Sequence, residues 1–175
     1  MITPILETKR ILLRPANMSD AEAIYQNWAS DPAVSKYVDW DVHRSIEETK
    51  AWLATVEADI SGEDRYEWLF VCKETNEPFG FGGVFKNDTY NMFELGYSLM
   101  QKSWGRGLAA EAARRMLDFA IHEIGASRFF AYHAEENPAS GRVLEKLGFV
   151  YKKDGTFSSF NGEQIFRSRE YFLDI

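Results

Sequence analysis

Hydrophobic positions recur with a helical period near the start of the chain and with a strand period through its middle. After a short predicted strand at residues 10–14, residues 19–22 (Ser-Asp-Ala-Glu) form a capping-box pattern. They predict a helix that carries apolar residues at helical spacing as far as Trp28. A second box at residues 45–48 (Ser-Ile-Glu-Glu) predicts another helix, and residues 61–64 predict the turn that follows it. The chain therefore opens with a strand and two helices.

Strands are predicted next. Residues 66–72 are almost continuously apolar, which is typical of a central strand, and residues 79–85 return after a turn. Residues 93–99 alternate strictly, with Glu94 on the polar face. The apolar face of this third strand carries Phe93, Leu95, Tyr97 and Leu99.

The last third of the chain returns to helices and ends in a hairpin. Apolar spacing predicts a helix over residues 108–123 and then a strand over residues 128–133. Asn137 before Pro138 marks the start of another helix, which stops at Gly148. The dipeptide Asn161-Gly162 predicts the turn of a closing hairpin.

Together these elements predict an α+β fold with a mixed, mostly antiparallel central sheet flanked by helices. The 175 residues are expected to form one domain, residues 1–175, because no linker or repeat divides them. A net charge of −7 argues against nucleic-acid binding and favours cationic substrates. The single cysteine, Cys72, fits a reducing cytoplasm, and neither a secretion signal nor a membrane-spanning segment is expected. Phe157 and Phe160 in the hairpin serve either a dimer contact or sheet packing, so monomer and homodimer both stay open.

A glycine-rich segment between a strand and a helix is the strongest chemical signal. Residues 102–112 read Lys-Ser-Trp-Gly-Arg-Gly-Leu-Ala-Ala-Glu-Ala. Glycines let the backbone approach a ligand closely, and the first turn of a helix offers unpaired N–H groups at a positive dipole end. The segment therefore predicts a phosphate-binding turn.

Two ordered motifs identify the family that the chain resembles. Residues 104–109 (Trp-Gly-Arg-Gly-Leu-Ala) resemble the acetyl-CoA signature Gln/Arg-x-x-Gly-x-Gly/Ala of the GCN5-related N-acetyltransferase (GNAT) superfamily, with Trp104 at the leading position. Residues 137–140 (Asn-Pro-Ala-Ser) and 146–149 (Lys-Leu-Gly-Phe) resemble its second signature. The resemblance extends over about residues 8–172 and is greatest to the RimJ/RimL branch, the ribosomal-protein N-terminal acetyltransferases.

This resemblance implies a GNAT-like fold in which splayed strands hold acetyl-CoA. Leu99 and Met100 are expected to pair through their backbones with the pantetheine arm, and Asn137 to face it. The side chains of Lys102 and Arg106 are expected near phosphates. The backbone N–H groups expected to bind the pyrophosphate are those of Trp104, Gly105, Arg106, Gly107, Leu108, Ala109 and Ala110.

The implied reaction is transfer of an acetyl group to a primary amine, either a protein N-terminal α-amine or a small-molecule amine, by direct attack in a ternary complex. Only a neutral amine attacks a thioester, so a base is useful, and Glu94 is the candidate. Ser140 is the candidate partner of the leaving thiolate, because Leu144 replaces the tyrosine that many members carry four residues before Gly-Phe. Trp40 lies in the loop where the family builds its acceptor pocket. No metal is expected, since the three histidines show no ligand spacing.

Other interpretations stay open at this point. A catalytically silent acyl-CoA-binding or regulatory module could use the same scaffold. The sequence from Gly105 also matches Gly-x-Gly-x-x-Ala, a dinucleotide fingerprint, but a Rossmann fold needs this motif near the start of a long βαβ series. The end of the chain, Phe-Arg-Ser-Arg-Glu at residues 166–170, departs from the branch, which weakens any inference about the acceptor.

Overall fold

Eight strands lie side by side in one sheet within residues 1–60, 62–159 and 161–175, which the computed structural model describes. The strands are β1 (Leu6–Glu7), β2 (Ile11–Arg14), β3 (Arg65–Cys72), β4 (Pro78–Asn87), β5 (Met92–Leu99), β6 (Arg128–Ala134), β7 (Val150–Ser158) and β8 (Ile165–Asp174). Their order is β1-β2-β3-β4-β5-β6-β8-β7, and the β5–β6 pair alone is parallel among these described strands. The predicted mixed, mostly antiparallel sheet is confirmed.

Helices precede and follow the central strands, as predicted. They are α1 (Ala21–Ile24), α2 (Pro32–Ser35), α3 (Ile46–Asp59), α4 (Leu108–Phe119) and α5 (Pro138–Lys146). A π-helical turn extends α1 over Tyr25–Ala29, and another extends α4 over Ala120–Ile124. No helix in the described residues is long and apolar enough to cross a membrane.

The first helical segment begins earlier than the sequence predicted. The cap is Asn17 rather than Ser19, because the Asn17 side chain accepts the Ser19 N–H at 3.0 Å. Asp20 completes this box by accepting the Asn17 N–H at 2.9 Å, and its carboxylate also pairs with Arg14. The second predicted box is better placed, since Ser45 Oγ accepts the Glu48 N–H at 3.3 Å.

The closing hairpin is confirmed, and the predicted turn at Asn161-Gly162 lies within its connection, which is longer than two residues. The connection between β7 and β8 covers residues 159–164, and the Ser159 N–H donates to the Gln164 carbonyl at 2.9 Å. Gly162 has a φ of +72° inside this longer loop. Ser61, the first residue of the earlier predicted turn, and Phe160 lie outside the described residues.

The core lies between the sheet and the helices. The Phe119 ring of α4 packs against Trp68 and Tyr66 on β3, with ring centroids 5.4 and 5.3 Å apart. The predicted inner face of α4 is buried at Ala113 and Leu117. This packing holds α4 against the central strands, and the site lies near the other end of the helix, where it begins.

Candidate active site

A gap opens in the sheet between β5 and β6. These strands pair at Phe93 with Phe129 and at Glu94 with Phe130, and no further pairing is found between them in the described residues. Beyond Glu94 the gap is occupied by a cavity of about 420 Å³, which also reaches α3, β4 and α5. Cavities of this volume accommodate small molecules.

The glycine-rich turn lies at the end of β5 and presents free donors. Gly105 and Gly107 have φ values of +71° and +74°, a left-handed conformation that glycine adopts without strain. The N–H groups of residues 105–110 have no acceptor within the part of the chain that the structure describes. They lie at the start of α4, where the helix dipole is positive, so an anion can bind there.

Trp104 and Met100 already use backbone groups for hydrogen bonds within the protein. The Trp104 N–H already donates to the Gln101 carbonyl at 3.0 Å, so it is not a free donor for a phosphate. Met100 uses both of its backbone groups, donating to the Phe79 carbonyl at 2.9 Å and accepting the Ser103 N–H at 3.0 Å. These two residues therefore hold the turn in place.

Leu99 keeps one backbone group for a ligand. Its carbonyl accepts the Trp104 indole N–H at 2.8 Å. Successive residues of a strand direct their backbone groups to opposite sides, so the Leu99 N–H points away from β4, on the side of the gap. The Leu99 N–H thus stays a candidate partner for an extended arm.

The two cations predicted near phosphates are placed differently. Lys102 Nζ lies 2.6 Å from Glu77 Oε1, in the turn before β4, and its contact with a phosphate stays a prediction. Arg106 lines a second, more open cavity of about 530 Å³ beside α4. This cavity is also lined by Arg10, Arg114, Arg115, Lys146, Glu111 and Asp118.

Side chains near the N-terminal strands hold the glycine-rich turn through contacts that no local sequence pattern indicates. Glu111 on α4 accepts the Thr8 hydroxyl at 2.6 Å and the Arg10 side-chain Nε–H at 2.6 Å. Arg10 also donates to the Arg106 carbonyl at 3.0 Å. These contacts span about a hundred positions of sequence and fix the outer side of the turn.

Glu94 lies at the base of the gap, partly buried. Asn87 Nδ2 donates to Glu94 Oε2 at 2.7 Å. Burial raises the pKa of Glu94, and the negative charge of Asp39 raises it further. A carboxylate with a raised pKa is a better proton acceptor at neutral pH than an ordinary glutamate.

Ser140 and Asn137 face the same cavity from the start of α5. The Ser140 hydroxyl lies 3.3 Å from the Tyr97 hydroxyl, which comes from β5 across the gap. Burial raises the pKa of Tyr97 to about 12, so the phenol is protonated at neutral pH. Asn137 occupies the predicted N-cap position, but its side chain makes no capping bond, which leaves its amide free for a ligand.

Aromatic and acidic side chains line the outer end of the cavity. Trp40 is on its wall, with its ring centroid 6.1 Å from that of His43. Asp39 and Tyr132 also line it. The sequence suggests Asp39 as one of several acids at the acceptor mouth, with a solvated loop as the alternative, whereas Tyr132 was not singled out. Within the described ranges, no three His, Cys, Asp or Glu side chains cluster in a way that could hold a metal ion.

Comparisons with known proteins agree with this geometry. The family model for the acetyltransferase (GNAT) domain matches residues 10–150. An uncharacterized N-acetyltransferase, YoaA of Bacillus subtilis, is 30% identical over 158 residues, which cover 90% of this chain and 88% of the relative.

Two solved structures show the same fold. A putative ribosomal-protein-serine acetyltransferase from Vibrio cholerae superposes with a TM-score of 0.86 at 18% identity, covering 100% of both chains. RimL, a ribosomal L7/L12 α-N-protein acetyltransferase in complex with coenzyme A, gives a TM-score of 0.80 at 20% identity, covering 100% of this chain and 98% of its own. With a family model that matches most of its length, the chain belongs to the GNAT acetyltransferase family.

Proposed function

We propose that this protein transfers the acetyl group of acetyl-CoA to a primary amine, either a protein N-terminal α-amine or a small-molecule amine. The observation that carries this proposal is the run of free N–H groups at residues 105–110, which follows the end of β5, the strand that lines the cavity with the partly buried Glu94. RimL, which has the same fold, was solved with coenzyme A. The setting that we propose is a single domain, residues 1–175, that acts in the cytoplasm without a metal.

In this proposal the donor lies along the gap between β5 and β6. The N–H groups of residues 105–110 bind the pyrophosphate, and the Leu99 N–H and the Asn137 amide bind the pantetheine arm. The arginines beside α4, Arg106 among them, attract the phosphates of the nucleotide end. The thioester then points toward Glu94 and Ser140.

Glu94 acts as the base. An amine arrives as an ammonium ion, since its pKa is about 7.7 or higher, and must lose a proton before attack. Glu94 accepts this proton, directly or through one water. The neutral nitrogen attacks the thioester carbon and the C–S bond breaks. The second N–H proton that the nitrogen loses goes to water or to the departing CoA sulfur, so the products are the amide and CoA.

Ser140 stabilises the leaving thiolate, and Tyr97 positions Ser140. A protonated phenol donates its hydrogen to the Ser140 oxygen across the 3.3 Å contact, which leaves the serine hydrogen free to point toward the sulfur. Tyr97 thus supplies from β5 part of what the family's tyrosine, replaced here by Leu144, supplies from the helix.

Replacing Tyr97 with Phe is expected to lower kcat about fivefold with little change in the KM for acetyl-CoA, because one hydrogen bond worth about 1 kcal/mol is lost late in the reaction. Ser140→Ala is expected to have a similar effect, and the double variant to be no worse than either alone. Steady-state kinetics on the three variants tests this. Additive losses would mean that the two hydroxyls act separately and would contradict the positioning role.

The proposed function itself is tested by thiol release. Purified protein is mixed with acetyl-CoA and a panel of primary amines, and free thiol and acetylated amine are measured together. Equal amounts of both support the proposal. Calorimetric binding of acetyl-CoA without thiol release from any amine would instead favour a silent acyl-CoA-binding module, and absence of binding would contradict both.

A further inference from the structure

Aromatic rings form most of the outer wall of the cavity. The rings of Trp52 and Phe81 meet edge to face with centroids 4.8 Å apart, and Trp40 extends this wall through His43. Burial lowers the pKa of His43, so its imidazole is neutral at pH 7. A wall of this kind attracts flat apolar groups and also cations, which interact favourably with ring faces.

A row of aromatic side chains in contact with one another lies at the outer end of the cavity. Tyr37, in the segment after α2, contacts Phe166 of β8 with ring centroids 6.3 Å apart. Phe166 stacks on Phe157 of β7 at 5.1 Å, and Phe157 lies 5.1 Å from Tyr132 of β6. The closing hairpin and the segment before α3 therefore touch across the outer end of the cavity, which limits the room beyond it.

Acidic side chains outnumber basic ones around the same space, where Asp39, Glu67 and Glu94 line the cavity with Arg65. Burial raises the pKa of Tyr132 on this wall, and the charges of Asp39 and Glu94 raise it further. Arg65 lies 2.7 Å from Glu67, and its positive charge also acts on Asp39 and Glu94, so one cation is shared among three carboxylates. Asp39 forms no ion pair with any residue that the structure describes. A cationic ligand would relieve this repulsion.

We propose that the acceptor is a free small-molecule amine with a flat apolar body, whose ammonium group binds between Asp39 and Glu94 while its body lies on the Trp40, Trp52 and Phe81 rings. This rests on the proposed acetyl transfer and names its substrate class. A peptide would bring several backbone N–H and C=O groups into the cavity, and each needs a hydrogen-bond partner. Ring faces do not supply such partners, whereas they suit a ring or a compact hydrocarbon.

The test compares three primary amines in the thiol-release assay. Phenethylamine carries a flat apolar body, ethanolamine carries a polar one, and a tripeptide amide carries a free α-amine on a backbone. We expect phenethylamine to give a kcat/KM at least about tenfold higher than either of the other two amines. Phenethyl alcohol, which has the ring but no charge, is expected to inhibit at least about tenfold more weakly than the amine binds. A tripeptide or ethanolamine that is preferred over the ring amine overturns the proposal.

The charge is tested separately with Asp39→Asn. Asp39 is exposed on a loop, so the substitution leaves the fold intact, and the KM for phenethylamine is expected to rise about tenfold with kcat little changed. Asp88→Asn, which removes the same charge from an exposed turn outside the cavity, is expected to leave both constants unchanged.

Different results would contradict the acceptor assignment and the proposed acetyl transfer. An unchanged KM in Asp39→Asn overturns the assignment of the acceptor but leaves acetyl transfer standing. Absence of thiol release with every amine, in protein that binds acetyl-CoA, overturns both.

Discussion

Glu94→Gln is expected to lower kcat/KM for the amine by at least about 100-fold at neutral pH, because general base catalysis contributes roughly 10²–10⁴-fold. Glutamine keeps an oxygen that can accept the Asn87 N–H, so the local structure is preserved while the proton acceptor is lost. Acetyl-CoA binding, measured by calorimetry, is expected to stay unchanged. Glu74→Gln in the exposed turn before β4 removes the same charge and serves as the control.

The pH dependence of kcat/KM is a second test of the assignment of Glu94 as the base. A base works only when deprotonated, so activity is expected to fall as the pH drops through the pKa of Glu94, which burial raises above the ordinary glutamate value. The acidic limb of kcat/KM therefore lies higher than an ordinary glutamate would place it, and it disappears in Glu94→Gln. An unchanged acidic limb in that variant would show that another group is the base.

Glu94→Gln is expected to lower activity but to raise the stability of the fold at neutral pH. A carboxyl group whose pKa is higher in the folded than in the unfolded protein stabilises the fold fully only below the unfolded pKa, and this stability is lost as the pH rises through the folded value. At neutral pH the ionised, partly buried Glu94 therefore costs free energy. Glu94→Gln should raise the free energy of unfolding at pH 7, and the gain should vanish below about pH 4. A variant that is both more stable and less active distinguishes a functional carboxylate from a structural one.

Local signals in the sequence predicted the elements and the turn well. Alternation over residues 93–99 and helical spacing from residue 108 depend on neighbours in the chain, so each can be recognised alone. The glycines at 105 and 107 likewise predict a turn between β5 and α4, and in the structure both adopt the left-handed conformation there. Boundaries were less accurate, as at Asn17, where the buried pair of Asp20 with Arg14 moved the start of the helix.

Contacts between distant segments were beyond the reach of the sequence. Nothing near Glu111 indicates that Thr8 and Arg10 will bind it, and nothing near Tyr97 indicates that Ser140 will lie opposite. Lys102 shows the same limit, because its position in the sequence suggests a phosphate contact but gives no sign of its ion pair with Glu77. Neighbouring residues in the chain determine the local backbone conformation. The contacts of a side chain depend instead on which distant segments become neighbours in the folded protein.

Gly107→Ala is expected to weaken acetyl-CoA binding by about 10- to 100-fold, which corresponds to the loss of one charge-assisted hydrogen bond of about 1.5–3 kcal/mol. Gly107 precedes α4 with a φ of +74°, and a methyl group there has room inside the protein, with its nearest protein atom, on Arg10, at 3.7 Å. The methyl therefore protrudes beside the N–H groups that we propose bind the pyrophosphate, and the strained backbone turns them away from it.

A second glycine separates strain from binding. Gly125, after the π-helical turn that extends α4, has a φ of +77° and no atom within 4 Å of an added methyl. Gly125→Ala should therefore cost about 1 kcal/mol of stability, the same strain that Gly107→Ala suffers, with acetyl-CoA affinity unchanged. Thermal unfolding and calorimetry on both variants give the comparison. If the two variants lose stability equally and bind acetyl-CoA equally well, the cofactor does not use this turn, and the proposed placement of the donor is wrong.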